Sequence, residues 1–142
     1  MQQSYGMVTI MKKKKSLKSL DKLVSSLEFL NFEQGKKRCM NDEEFYLELV
    51  KEFAEESKLK TLQENYQRQD WPQYRMNVHT IKSSAAYIGA EELSQQARLL
   101  ENAAKEGDQA YLVAKHIEFT QYYQKVLQGI KDFLAEIESA GA

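Results

Sequence analysis

The amino-acid sequence predicts an all-α protein, an antiparallel up-and-down four-helix bundle with one or two extra N-terminal helices. Three observations carry that prediction. A single proline and six glycines in 142 residues point away from a β-rich or disordered chain. Apolar residues recur at helical spacing through successive segments, so each segment offers one stripe to a core. The segments are joined by a few residues each, and short connections force antiparallel neighbours. By length this is one domain, divided into an expected flexible N-terminal extension at 1–15 and a bundle domain at 16–142.

The elements follow in order. Residues 1–15 show no period. From Ser16, the spacing of Leu17, Leu20, Val24, Leu27 and Leu30 or Phe29 predicts a first amphipathic helix ending near Asn31, and a shorter piece is expected over 33–39. Asn41-Asp42-Glu43-Glu44 supplies a cap with acids in the first turn, where the positive end of the helix dipole favours them. The long helix that starts there presents Phe45, Tyr46, Leu49, Val50 and Phe53 on one face. Leu59, Leu62 and Tyr66 are out of phase with them, which predicts a bend or rotation over 55–60 before the helix ends by Gln69.

The next segment is the most informative. Asp70 is placed to cap it, Pro72 falls in the first turn where its missing N–H costs nothing, and Gly89 follows the last apolar residue. Tyr74, Val78, Ile81, Ala85 and Ile88 form its stripe. His79 falls on the opposite side with Arg75, Lys82, Ser83 and Ala86, which aims an imidazole at solvent one turn before a lysine. Leu93, Ala97, Leu100 and Ala104 then mark a helix stopped by Gly107. Asp108 caps the last helix, whose seam of Leu112, His116, Phe119, Tyr123, Val126, Ile130, Phe133 and Ile137 alternates at +4 and +3. Gly129 lies beside that seam, where it lets a neighbour come close.

Composition narrows the function. One cysteine, Cys39, excludes an internal disulfide and a cysteine-based zinc site and fits a reducing cytoplasm. No apolar run approaches the roughly 18 residues of a membrane span, so no membrane insertion is expected. The weakly apolar stretch 7–11 precedes the lysines instead of following them, the reverse of a signal peptide, so the expected location is cytoplasmic. Residues 1–38 hold nine Lys/Arg against three Asp/Glu, and the remaining 104 hold eleven against eighteen. The basic run Lys12 to Lys15 lacks interleaved aromatics and reads as a solvated lead-in, so no nucleic-acid partner is expected.

The two histidines are not equivalent. His116 lies on an apolar seam and reads as a buried or rim residue with one hydrogen bond. The two face opposite ways, and Met76 and Val113 stand three residues before them where a di-metal bundle would carry glutamate, so no metal site is expected. Neither a serine or cysteine nucleophile arrangement nor a glycine-rich phosphate loop is present.

His79, Lys82 and Gly89, at offsets +3 and +10 with the small residues Ser83, Ser84, Ala85 and Ala86 between them, resemble the motif of the histidine-containing phosphotransfer (HPt) domain. That family passes phosphoryl groups between receiver domains in phosphorelays. Its motif is His-x-x-Lys-Gly, a run of mostly small residues, then a second glycine. The resemblance extends through Ile88-Gly89-Ala90-Glu91-Glu92-Leu93, Leu100-Glu101 and Gly107-Asp108, and upstream through 33–39, 42–46 and Asp70-Trp71, covering roughly residues 27–134. Ser83 stands where the family usually has glycine; serine is small enough that transfer is expected to survive. Asn77 stands where an apolar residue is more usual, which weakens the packing expected beneath the site.

The resemblance implies that His79 accepts a phosphoryl group, on Nε2, from a receiver aspartate and returns it to another. Lys82 is expected to lower the imidazole's proton affinity by like-charge repulsion and then to attract the phosphoryl oxygens. Arg75, Ser83, Ala86 and Tyr87 are the expected docking residues and Gly89 a structural one. No cofactor is expected on the chain itself; magnesium would come with the receiver. The implied partners are response-regulator receiver domains and a hybrid sensor histidine kinase, met by a monomeric phosphoryl carrier that is not itself an enzyme. The alternative is a non-catalytic helical interaction or dimerisation module in which His79 is incidental.

Overall fold

The computed structural model describes residues 29–141. The expected extension at 1–15, its lysine run and nearly all of the helix expected from Ser16 lie outside the described residues. The described residues form six helices: α1 Phe32–Arg38, α2 Glu43–Glu55, α3 Leu59–Gln67, α4 Trp71–Ile88, α5 Glu91–Glu106 and α6 Gln109–Gly141. There are no strands among the described residues. The α2–α3 pair, α4, α5 and α6 are the four walls of an all-α bundle, with α1 laid across the end of α4. Among the described residues no helix is long and apolar enough to cross a membrane.

The expected stripes are the core. All five stripe residues of α4 are at most 2% exposed, and the eight seam residues of α6 at most 4%. Local caps set the ends as the sequence indicates. Asp42 Oδ1 accepts from Phe45 N at 3.1 Å, Asp70 Oδ1 from Gln73 N at 3.3 Å and Asp108 Oδ1 from Tyr111 N at 3.1 Å. Gly89 closes α4 in the left-handed region at φ 87°, and a Cβ added there would run into the Asn31 carbonyl, so a side chain has no room. Gly129 is covered by the Phe29 ring, the close approach its position indicated.

Two expectations need correction. The helix expected to run to Gln69 with a bend is two helices, broken at 56–58. The Tyr123 hydroxyl accepts the Lys58 N–H at 3.0 Å and Ser57 Oγ accepts that of Leu59 at 3.1 Å, so donors that a continuous helix would use are taken elsewhere. The break resets the phase and lets Phe53 and Leu62 both reach the core. The expected inner face of α2 is also displaced. Tyr46, Leu47, Val50, Phe53 and Ala54 are buried, whereas Phe45 is 44% exposed and Leu49 half-buried.

The C-terminus of α4 is anchored from α1 and α2. Its last carbonyls would otherwise lack donors. Arg38 donates to Ala86 O, Tyr46 Oη to Ile88 O at 2.7 Å, and Asn31 N to Gly89 O at 2.8 Å. Gly35 makes room for this crossing, because the Tyr46 ring and the Ile88 carbonyl occupy the space of its missing side chain. The helix that carries His79 is thereby held at one end by hydrogen bonds and along its inner face by packing.

Candidate functional site

His79 sits in the middle of α4 with its side chain 57% exposed, and the side chain of Lys82, one turn on, is 27% exposed. The two do not simply face each other. Glu101 of α5, only 3% exposed, reaches between them: Oε2 lies 2.5 Å from His79 Nδ1, and Oε1 accepts from Lys82 Nζ at 2.7 Å. The helices are fixed in register here by a further bond, Ser94 Oγ to Lys82 O at 2.8 Å. One carboxylate therefore serves both the imidazole and the ammonium of the site, so a negative charge stands between Lys82 and the ring.

Burial alone would raise the Glu101 carboxyl, but the hydrogen bonds from Lys82 and His79 and the charge beside each outweigh it and hold the group below the usual carboxylate range. An ionised Glu101 accepts from an N–H, which puts the His79 proton on Nδ1 and leaves the lone pair on Nε2, away from α5. The arrangement is an exposed imidazole whose tautomer is set by a buried acceptor, with an ammonium group held one turn away.

The remaining expected residues divide into two groups. Arg75 is exposed one turn before His79. Ser83 and Tyr87 line an open groove of about 440 Å³ between α2 and α4, together with Thr80, the residue after His79. Ala86 is half-buried and acts through its carbonyl, which takes the Arg38 guanidinium. Gly89 closes the helix and is remote from the chemistry. Asn77 is not a packing defect, because its amide donates to Asn65 Oδ1 of α3 at 2.6 Å.

His116 stands apart from the site. It is buried, stacked on Tyr66 with ring centroids 3.7 Å apart and planes 5° from parallel, and its Nδ1 lies 2.9 Å from the Tyr74 hydroxyl. Burial pushes its pKa down to about 4, so it is neutral at pH 7.

Sequence reasoning missed Glu101 as a site residue, although a signal existed. Position 101 lies eight residues after Leu93 and four after Ala97, on the apolar stripe of α5, where an acid requires a buried partner. Asn65 gave no such signal, since it becomes buried only because α3 is displaced by the break at 56–58.

No match was found among curated proteins or among solved structures. The family model of the Hpt domain matches residues 46–140, two thirds of the chain, spanning α3, α4 and α5, most of α2 and nearly all of α6. With the bundle and the exposed histidine already in place, that match establishes that the chain belongs to the Hpt domain family, whose members carry phosphoryl groups in phosphorelays.

Proposed function

We propose that His79 is the phosphoacceptor, taking a phosphoryl group from the aspartate of one receiver domain and passing it to the aspartate of another. The observation that carries this reading is the shared carboxylate: Glu101 holds His79 Nδ1 at 2.5 Å while more than half of the ring faces solvent. The free Nε2 lone pair attacks phosphorus, the N–P bond forms and the bond from phosphorus to the aspartyl oxygen breaks, its electron pair leaving with the aspartate carboxylate. The ring becomes positive as it gives up its lone pair. Glu101, already ionised, stabilises that charge through Nδ1–H, and Lys82 turns toward the incoming phosphoryl oxygens. Return to a second aspartate reverses each step.

Magnesium is assigned to the receiver, because both oxygens of the one carboxylate at this site are engaged. Arg75, Ser83, Ala86 and Tyr87, on the helix that carries the histidine, are proposed to meet the receiver. The chain is read as a monomeric cytoplasmic carrier whose transfer chemistry is completed by its partner, a receiver or a hybrid sensor kinase. Incubation with a phosphorylated receiver domain tests this. Acid-labile, base-stable phosphate is expected on the chain and none on the His79→Gln variant; equal labelling of that variant overturns the assignment.

A further inference from the structure

Ser83 stands one turn beyond His79, at the i+4 position, where helical side chains are neighbours with Cβ atoms about 5–6 Å apart. It is exposed, and its Cα–Cβ bond leans back toward the turn that carries the histidine. It also lies on the side of the ring where Nε2 is free. Glu101 holds Nδ1 from α5, whereas Ser83 lines the flank of α4 that faces α2.

The other donors around the histidine are committed or turned away. Lys82 Nζ is bonded to Glu101, Thr80 Oγ1 donates to Met76 O at 3.1 Å, and Ser94 Oγ donates to Lys82 O at 2.8 Å. Ser84, at i+5, points to a different side of the helix. A helical serine often spends its hydroxyl on a carbonyl of the preceding turn, as Thr80 does, but Ser83 Oγ has no partner among the described residues. Glycine, the usual residue at this place in the motif, would offer no donor at all.

Resting on the His79 reading above, we infer that the Ser83 hydroxyl donates to an oxygen of the phosphoryl group on His79 and lengthens the life of the phosphorylated chain. In hydrolysis a water oxygen bonds phosphorus, the P–N bond breaks with its electron pair returning to Nε2, and a water proton goes to solvent. The transition state is loose, so the phosphoryl oxygens give up charge as the group separates from the ring. A donor aimed at those oxygens therefore holds the ground state more tightly than the transition state, and the barrier to loss of the group rises. A receiver brings its own ligands for the same oxygens, so transfer to it is slowed less than loss to water. Serine in place of glycine thus favours retention of the phosphoryl group between encounters.

The test loads wild type, Ser83→Ala, Ser83→Gly and Ser83→Thr with phosphoramidate, a donor too small to depend on a docking surface. After the donor is removed, decay of the acid-labile phosphate is followed near neutral pH. Ser83→Ala and Ser83→Gly are expected to lose the label at least about threefold faster than wild type, the effect of one hydrogen bond to a charged group. Ser83→Thr keeps the hydroxyl and should resemble wild type. Alanine favours the helix and glycine opposes it, so matching decay in those two separates the hydroxyl from any change in helix stability. The phosphorus resonance of the phosphohistidine should likewise sort the four proteins into a hydroxyl-bearing pair and a pair without. Equal decay in wild type and Ser83→Ala, or faster decay in Ser83→Gly alone, overturns the inference and leaves the His79 reading standing. A wild-type chain that takes up no more label than His79→Gln overturns both.

Discussion

Lys82 Nζ lies 2.7 Å from Glu101 Oε1, and the carboxylate it touches is the same one that holds the imidazole of His79. The ammonium is therefore engaged, and Glu101 positions both of its partners. Glu101→Gln keeps the shape and removes the charge. Phosphoryl acceptance from a receiver should fall about tenfold or more, since a loss of about 1.4 kcal/mol at the transition state is a factor of ten. Because the folded carboxyl titrates below its ordinary value of 4.5, the stability it contributes is whole above that pH and is lost as acid titrates the folded group. Denaturant melts of wild type and Glu101→Gln should therefore differ most near neutrality and converge at lower pH.

Asn77→Leu should destabilise the fold even though leucine is the more usual kind of residue there. The substitution strands the Asn65 amide, 9% exposed and bonded to Asn77 at 2.6 Å, at a cost of about 1–3 kcal/mol. Removing both polar partners takes the penalty away. Asn65→Leu/Asn77→Leu should recover most of the loss in urea unfolding, and the double-mutant cycle measures the coupling directly.

How much was legible in the sequence depended on how local the cause was. Asp70, Pro72 and Gly89 act on backbone within a turn of themselves, so the ends of α4 could be read directly, and the α6 seam carried its own period. The break after α2 could be read only as a bend, because the group that captures the Lys58 N–H is Tyr123, 65 residues away. Glu101 was marked by its place on an apolar stripe, but its partners depend on the register of α4 against α5, which no single-helix pattern contains. The groove between α2 and α4 likewise needed the facing of α2, and the exposure of Phe45 shows that the expected face was displaced.

Gly89 and Gly107 both close helices with positive φ, at 87° and 71°, yet replacing them should have different costs. A side chain at Gly107 meets nothing within 4 Å, so Gly107→Ala should lose only the left-handed penalty, about 1 kcal/mol. At Gly89 the added carbon runs into the Asn31 carbonyl, which is fixed by accepting from Gly35 N at 3.0 Å. Gly89→Ala should cost about 3 kcal/mol or more and loosen the α1 crossing. Thermal unfolding of the two variants side by side separates conformational strain from steric exclusion.

The buried His116 gives the fold an acid-sensitive element remote from the transfer site. Its folded pKa, about 4, lies below the ordinary 6.5, so the unfolded chain takes the proton first as pH falls. Stability from this group is full above 6.5 and is lost progressively between 6.5 and 4, amounting to about 3 kcal/mol across the window. His116→Phe keeps a ring to stack on Tyr66 but cannot titrate, and it leaves the Tyr74 hydroxyl without its 2.9 Å partner. The variant should be the less stable protein at pH 7, by about 1–3 kcal/mol, and that gap should close or reverse by pH 4. Carboxylates common to both proteins cancel in the difference, so the narrowing reports His116 alone. A gap that stays constant from pH 7 to pH 4 would mean the ring is protonated as readily in the fold as out of it, which its burial against Tyr66 and Tyr74 opposes.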